Sequence, residues 1–297
     1  LVGSEMCIRD RFIYAAAKGI AQISNQKLTF DIYTGFEDDS RFRRVYELKQ
    51  FNLSVQESRR WMSFRYPLGR ILRKISRKIG FCIPLVNFKF IVEKKPYHFQ
   101  NEIMRIASFS SIYLEGYFQS YKYFSKIEAQ IREDFKFTKE VIGSVEKEAS
   151  FITNSRYTPV AIGVRRYSEM KGEFGELAVV EHDYYDAAIK YIANKVPNLI
   201  FIVFSEDIDW VKKNLKLDYP VYFVTSKKGE LAAIQDMYLM SLCNHHIISN
   251  SSFYWWGAYL ASTNNHIVIA PSVFLNKDCT PIAVSYTHLR AHETAAN

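Results

Sequence analysis

The chain has little cysteine and no long hydrophobic run. Four Cys occur in 297 residues. Cys7, Cys82, Cys243 and Cys279 form no C-x-x-C pair, which argues against a zinc site or a disulfide framework. No run of about 18 apolar residues is present, so a membrane-spanning helix is not expected. Acids are outnumbered, since 31 Asp and Glu against 39 Lys and Arg leave a net charge of +8. A basic chain seeks anionic partners, and composition leaves nucleic acid, an acidic membrane surface and a phosphorylated small molecule all open. What is plentiful is apolar and aromatic: 48% of residues are hydrophobic, with 20 Tyr and 22 Phe. That excludes a disordered chain, and the length favours two compact lobes over one.

Two end segments are set aside before any reading of the fold. Residues 1–11 (LVGSEMCIRDR) and 284–297 (VSYTHLRAHETAAN) resemble translated sequencing-adapter read-through. The first also lacks the basic start and apolar stretch of a secretory signal. A cytoplasmic protein is the expectation.

The character of the text changes near 154–159, where a charged helical stretch gives way to short apolar runs. A domain boundary is expected there, with lobes over 12–156 and 157–283. Beyond it, strands are predicted at 159–164, 199–204, 220–224, 245–249 and 266–270. Helices are predicted between them at 183–195, 206–215, 230–243 and 252–262. Short apolar strands separated by helices imply right-handed crossovers and a doubly wound parallel sheet covered on both faces. Such sheets bind ligands beyond the carboxyl ends of their strands. The N-terminal half reads as a smaller α/β lobe, with a helix from Phe12 and strand text at 27–31, 81–92 and 111–116.

Several segments could carry chemistry at those strand ends. Ser249, Asn250, Ser251 and Ser252 join a strand to a helix, and these residue types suit a helix N-cap. Free N–H groups and the helix dipole make such a turn an anion site; a well-capped core helix, with Phe253, Trp256 and Leu260 inward, is the plainer alternative. Arg165 and Arg166 follow the first strand of the same half, and two planar guanidinium forks suit a diphosphate. A solvated basic turn is the alternative there. Ser205-Glu206-Asp207-Ile208-Asp209 contains a D-x-D of the kind that holds a divalent cation, but two acids in a helix first turn are the simpler reading. Asp31, Glu37, Asp38 and Glu115 are candidates for a general base, which stays unassigned. His182, His245, His246 and His266 show no i, i+4 pairing and read as structural.

Between Arg59 and Lys78 lie eight Lys or Arg and no acid, with Phe64, Leu68, Ile71, Leu72, Ile75 and Ile79 at helical spacing. This pattern suits a basic amphipathic helix over 59–79. Either it packs on the core or it makes a peripheral contact with the inner face of an anionic membrane. No nucleic-acid-binding motif accompanies the charge, so nucleic acid is not expected as a partner.

SLCNHHIISNSSFYWWGAYL (241–260) closely resembles the C-terminal motif of the α-1,2-fucosyltransferases, family 11 of the glycosyltransferases. FIYAAAKGIA, DIYTGFEDDSRFRRVYELKQF, LEGYFQSYKYF, GVRRY, FSEDIDWVKKNL and DMYLMSLC match in the same order. The resemblance implies a GT-B-type fold of two Rossmann-like lobes facing a cleft, with GDP-fucose held by the C-terminal lobe. It implies inverting transfer of L-fucose to the 2-hydroxyl of a galactose-terminated glycan, with no metal or other cofactor. Donor-binding residues would be Arg165, Arg166, Ser205, Asp207, Asn250, Ser251 and Ser252, with Arg165 stabilising the leaving phosphate. Two departures stand out. The family's H-x-R-R-x-D has Gly163 in place of its His and no Asp match in Tyr167-Ser168, and its glycine-rich G-x-G-N-Q turn is missing before Phe12. A truncated gene model is the expected cause of the second. A non-catalytic binding remnant, or a metal-dependent transferase of another nucleotide sugar, is the alternative function.

Overall fold

The computed structural model describes residues 2–3, 10–33, 46–53, 56–57, 71–75, 82–83, 88–94, 98–105, 111–166, 180, 182–215, 217–225, 229–261, 263 and 265–271. The chain divides into two compact units, Leu1–Lys136 and Phe137–Asn297.

In the first unit, strands β1 (Val2–Gly3), β2 (Thr29–Asp31), β3 (Gln56–Glu57), β4 (Cys82–Ile83), β5 (Phe88–Val92) and β6 (Ser111–Glu115) form one sheet in the order β3-β2-β1-β6-β5-β4. All pairs are parallel except β4 with β5. Helix α1 (Asp10–Ile23) buries Phe12, Ile13, Tyr14 and Ile20. Its Tyr14 hydroxyl donates to Asp134 (2.8 Å), which also pairs with Lys18 one helical turn further on. Asp134 ends helix α3 (Glu128–Asp134), which follows the short α2 (Asn101–Met104). The fold thus uses part of the segment set aside from the sequence: Val2–Gly3 lies between Phe30–Asp31 and Leu114–Glu115, and Asp10 and Arg11 open α1. A two-residue strand is held by backbone bonds, which depend little on side-chain identity.

The second unit opens with two short helices, α4 (Lys139–Ser144) and α5 (Glu146–Thr153). Strands β7 (Thr158–Val164), β8 (Leu199–Ser205), β9 (Val221–Phe223), β10 (His245–Ile248) and β11 (Val268–Ile269) alternate with helices α6 (His182–Lys195), α7 (Ile208–Asn214), α8 (Ala232–Ser241) and α9 (Ser252–Leu260). Every element predicted for this half is present. All strands pair in parallel in the order β11-β10-β7-β8-β9. All seven residues of β8 are buried, as a strand covered on both faces requires. On one face Val160, Ile162, Val164, Phe201 and Val203 pack against Tyr185, Ala188, Ile189 and Ile192, which recur along one side of α6. Truncating Phe201 to Ala would cost about 3–5 kcal/mol.

The division falls after Lys136 and not at 154–159, because α4 and α5 belong to the second unit. Phe137 meets Tyr238 edge-on with ring centroids 5.2 Å apart, Phe151 lies 4.6 Å from Tyr222, and Gln235 Nε2 donates to Ser144 Oγ at 2.9 Å. Their polar sequence looks like the end of the preceding lobe, and only these contacts reassign it.

Candidate active site

Strands β7, β8 and β9 run to one side of the sheet, and β10 and β11 run to the other. The direction of winding therefore reverses between β7 and β10. Loops leaving the carboxyl ends of two such strands diverge and open a crevice, where doubly wound sheets bind ligands. Ile248 pairs with Gly163, Gly163 with Phe204 and Val164 with Ser205. That register brings three predicted segments to one sheet edge: Arg165–Arg166 after β7, Ser205–Asp207 after β8, and Ser249–Ser252 after β10. Eighty-odd residues of sequence separate the first from the last, and one strand spacing of roughly 4.8 Å separates their strands.

Glu206 ties the first two segments together. Its carboxylate accepts from the backbone N–H of Arg166 at 2.5 Å and lies 3.6 Å from Arg165 Nη1. The Arg166 guanidinium lies over the Trp210 ring, 4.0 Å from its centroid. Arg166 is therefore held from two sides, while Arg165 is about a quarter exposed and its ionic contact with Glu206 is loose.

The acidic segment differs from its sequence reading. Helix α7 begins at Ile208, so Glu206 and Asp207 precede it and do not form its first turn. Asp207 is the N-cap and accepts from Trp210 N at 2.9 Å, and Ser205 Oγ accepts from Asp207 N at 3.0 Å. One carboxylate of the D-x-D is thus occupied in starting the helix. Among the described residues no group of three His, Cys, Asp or Glu is placed to hold a metal ion.

Helix α9 starts at the crevice. Ser251 occupies the N-cap position with extended backbone, yet its side chain makes no capping bond. First-turn N–H groups have no acceptor within a helix, so this turn keeps donors for an outside anion. Ser249, Asn250 and Ser251 are all buried. The helix is apolar nearly all round: Tyr254, Trp255, Trp256, Gly257, Ala258 and Tyr259 are buried, while Phe253 and Leu260 are only partly so. Close packing fixes it, since a Cβ at Gly257 would stand 2.5 Å from the Met240 sulfur of α8.

Tyrosines absent from the sequence reading line the same edge. Tyr254 Oη lies 3.1 Å from the carbonyls of both Val164 and Phe204. Tyr184 donates to Ile248 O and is 3.0 Å from Ile269 O. Tyr185 is fully buried, and burial pushes its hydroxyl pKa up while nearby Ser249 and the Arg166 charge pull it back. Nothing in a single sequence marks these residues, because each partner lies dozens of positions away.

The remaining candidates lie elsewhere. Glu115 is gripped by Arg73 through Nε (2.9 Å) and Nη2 (3.0 Å), and Asp31 accepts from Tyr113 Oη (3.2 Å) and Tyr33 N (3.0 Å). Both acids are thus engaged within the first unit, and Glu37 and Asp38 fall outside the described residues. His246 and His266 form a buried pair at 2.7 Å, and His246 Nε2 reaches Met240 O at 2.9 Å. Since a carbonyl only accepts, Nε2 carries the proton and Nδ1 accepts from His266. Of the predicted basic helix, residues 71–75 are described and helical, with Ile71, Leu72 and Ile75 exposed. The rest of 59–79 lies outside the described residues.

Two α/β units, one of them doubly wound with cationic turns at its switch point, form a fold of GT-B type. The profile of glycosyl transferase family 11 matches residues 10–280, and the chain belongs to that family. It is 33% identical over 177 residues to an alpha-1,2-colitosyltransferase of Escherichia coli, covering 57% of this chain and 58% of that one. It is 40% identical over 93 residues to the E. coli O-antigen biosynthesis glycosyltransferase WbnK, covering 31% and 30%. The chain thus spans less than two thirds of either relative. Among solved structures it is similar to an Arabidopsis thaliana FUT1 variant in complex with GDP, with a TM-score of 0.54 and 12% identity over 91% of this chain and 69% of that one. It is also similar to the fucosyltransferase NodZ from Bradyrhizobium, with a TM-score of 0.50 and 15% identity over 86% and 90%.

Proposed function

We propose that this chain transfers L-fucose from GDP-β-L-fucose, with inversion, to the 2-hydroxyl of a terminal galactoside. The observation that carries the reading is the meeting of Arg165–Arg166 with the Ser249–Ser252 turn at the switch point of the second sheet. Family membership and the α-1,2 linkage named in its relatives support it. In the transfer, the acceptor oxygen attacks the sugar C1 and the C1–O bond to phosphate breaks. The electron pair leaves on GDP, and the acceptor hydroxyl passes its proton to a general base. Positive charge grows on the sugar and negative charge on the diphosphate, so fixed cations and N–H donors at the phosphates act most strongly in the transition state. Arg165 takes the leaving phosphate, while Arg166, Asn250, Ser251 and Ser252 cradle the donor. Ser205 and Asp207 support it by shaping the neighbouring turn.

No metal takes part in this reading, and turnover is expected to survive a chelator unchanged. Ile71, Leu72 and Ile75, exposed among basic neighbours, support a peripheral contact with anionic lipid that would present a lipid-linked acceptor. The test of the function is GDP release from GDP-fucose with and without a β-galactoside, run beside other GDP sugars. Acceptor-dependent release that favours GDP-fucose supports the reading. Binding of GDP with no transfer to any galactoside overturns it in favour of a non-catalytic binding protein.

A further inference from the structure

Tyr254 joins three parts of the crevice that the sequence keeps apart. It sits on α9 two residues beyond the turn that offers N–H donors, and its hydroxyl lies between the carbonyls that precede Arg165 and Ser205. Both distances are 3.1 Å, so one hydroxyl hydrogen is shared between the ends of β7 and β8. Its ring covers Gly163 so closely that a Cβ there would lie 2.5 Å from a ring carbon. Glycine at 163 and tyrosine at 254 therefore depend on each other. Across the crevice Tyr184 does the same for Ile248 and Ile269, the last residues of β10 and β11. In the strand order β11-β10-β7-β8, the two hydroxyls latch the outer pairs and leave the β10–β7 gap between them.

This arrangement has an electrostatic consequence for an anion. Carbonyl oxygens at parallel strand ends point lone pairs toward the ligand edge and would repel phosphate. A phenol that occupies them leaves N–H groups and guanidinium as the groups presented. Burial also holds the Tyr254 hydroxyl protonated far above its ordinary range, so it remains a donor at every working pH.

We propose that Tyr254 is a positioning residue which sets the diphosphate crevice by fixing the N-terminal turn of α9 against the ends of β7 and β8. The proposal rests on the donor reading above and adds a residue that touches no substrate. The experiment is calorimetric binding of GDP and GMP to the full chain, its Tyr254→Phe variant and a Tyr14→Phe control, well below their melting temperatures. Tyr14 loses a buried hydroxyl bond of the same kind, to Asp134 in the other unit. Tyr254→Phe is expected to lower the preference for GDP over GMP by about tenfold. Tyr14→Phe is expected to lower stability alone and keep the wild-type preference. Should Tyr254→Phe not fold, Gly163→Ala displaces the same ring while keeping its hydroxyl, and the same loss of preference is expected. An unchanged GDP-to-GMP ratio in a folded variant that melts lower would overturn the latch. Failure of the unaltered chain to bind GDP would instead strike the donor reading itself.

Discussion

The guanidinium of Arg166 lies over the indole of Trp210, 4.0 Å from the ring centroid. The two residues belong to different elements, one to the loop after β7 and one to the first turn of α7, and the contact fixes their spacing. Cation–π contacts of this kind contribute about 0.5–2 kcal/mol. Trp210→Leu is expected to weaken GDP binding several-fold while far-UV circular dichroism stays the same. Titration calorimetry reads the change.

Arg165 has the opposite character. It is partly exposed, and its ionic contact with Glu206 is a loose 3.6 Å, so removing it should cost little stability. Removing a preorganised donor at a leaving group typically lowers the rate about 10² to 10³-fold. Arg165→Ala should therefore lose most turnover with a melting temperature near that of the parent. Near-normal kcat would remove Arg165 from the leaving-group role.

The buried histidines give the protein a pH-dependent stability. Burial, with the His266 neighbour next, holds His246 well below the ordinary histidine value of 6.5, and burial lowers His245 as well. Below that value the unfolded chain takes up protons that the folded chain refuses, so stability falls as pH falls below about 6.5 and is fully present above it. Melting curves from pH 7.5 to 5.5 should show this decline. His246→Gln should flatten the slope while lowering the melting temperature at neutral pH, because the Met240 carbonyl and His266 lose their partner.

Membrane contact is tested by co-sedimentation with vesicles. Anionic phosphatidylglycerol vesicles should retain the protein, neutral phosphatidylcholine vesicles should not, and added salt should release it. Replacing Ile71, Leu72 and Ile75 by Ser should weaken retention severalfold without altering GDP binding. Equal recovery on both vesicle types would show that the basic stretch serves another purpose.

The sequence alone determined the second unit almost element for element, because its signals are local. Runs such as LIFIVF, buried on both faces, and helices with apolar residues on one side state their own structure. It also determined that the strand-end residues Arg165, Arg166, Ser205, Asp207, Asn250, Ser251 and Ser252 belong at one sheet edge, since a parallel sheet places all its carboxyl ends together. The tertiary structure decided what depends on partners far along the chain. Helices α4 and α5 belong with Tyr222, Gln235 and Tyr238, Asp207 is spent on capping α7, and Glu206 links the two arginine turns. Above all it paired Gly163 with Tyr254, whose ring and hydroxyl set the ends of two strands. Such pairings leave no trace in local periodicity. They arise from close packing, where the space one residue leaves is defined by a side chain about ninety positions away.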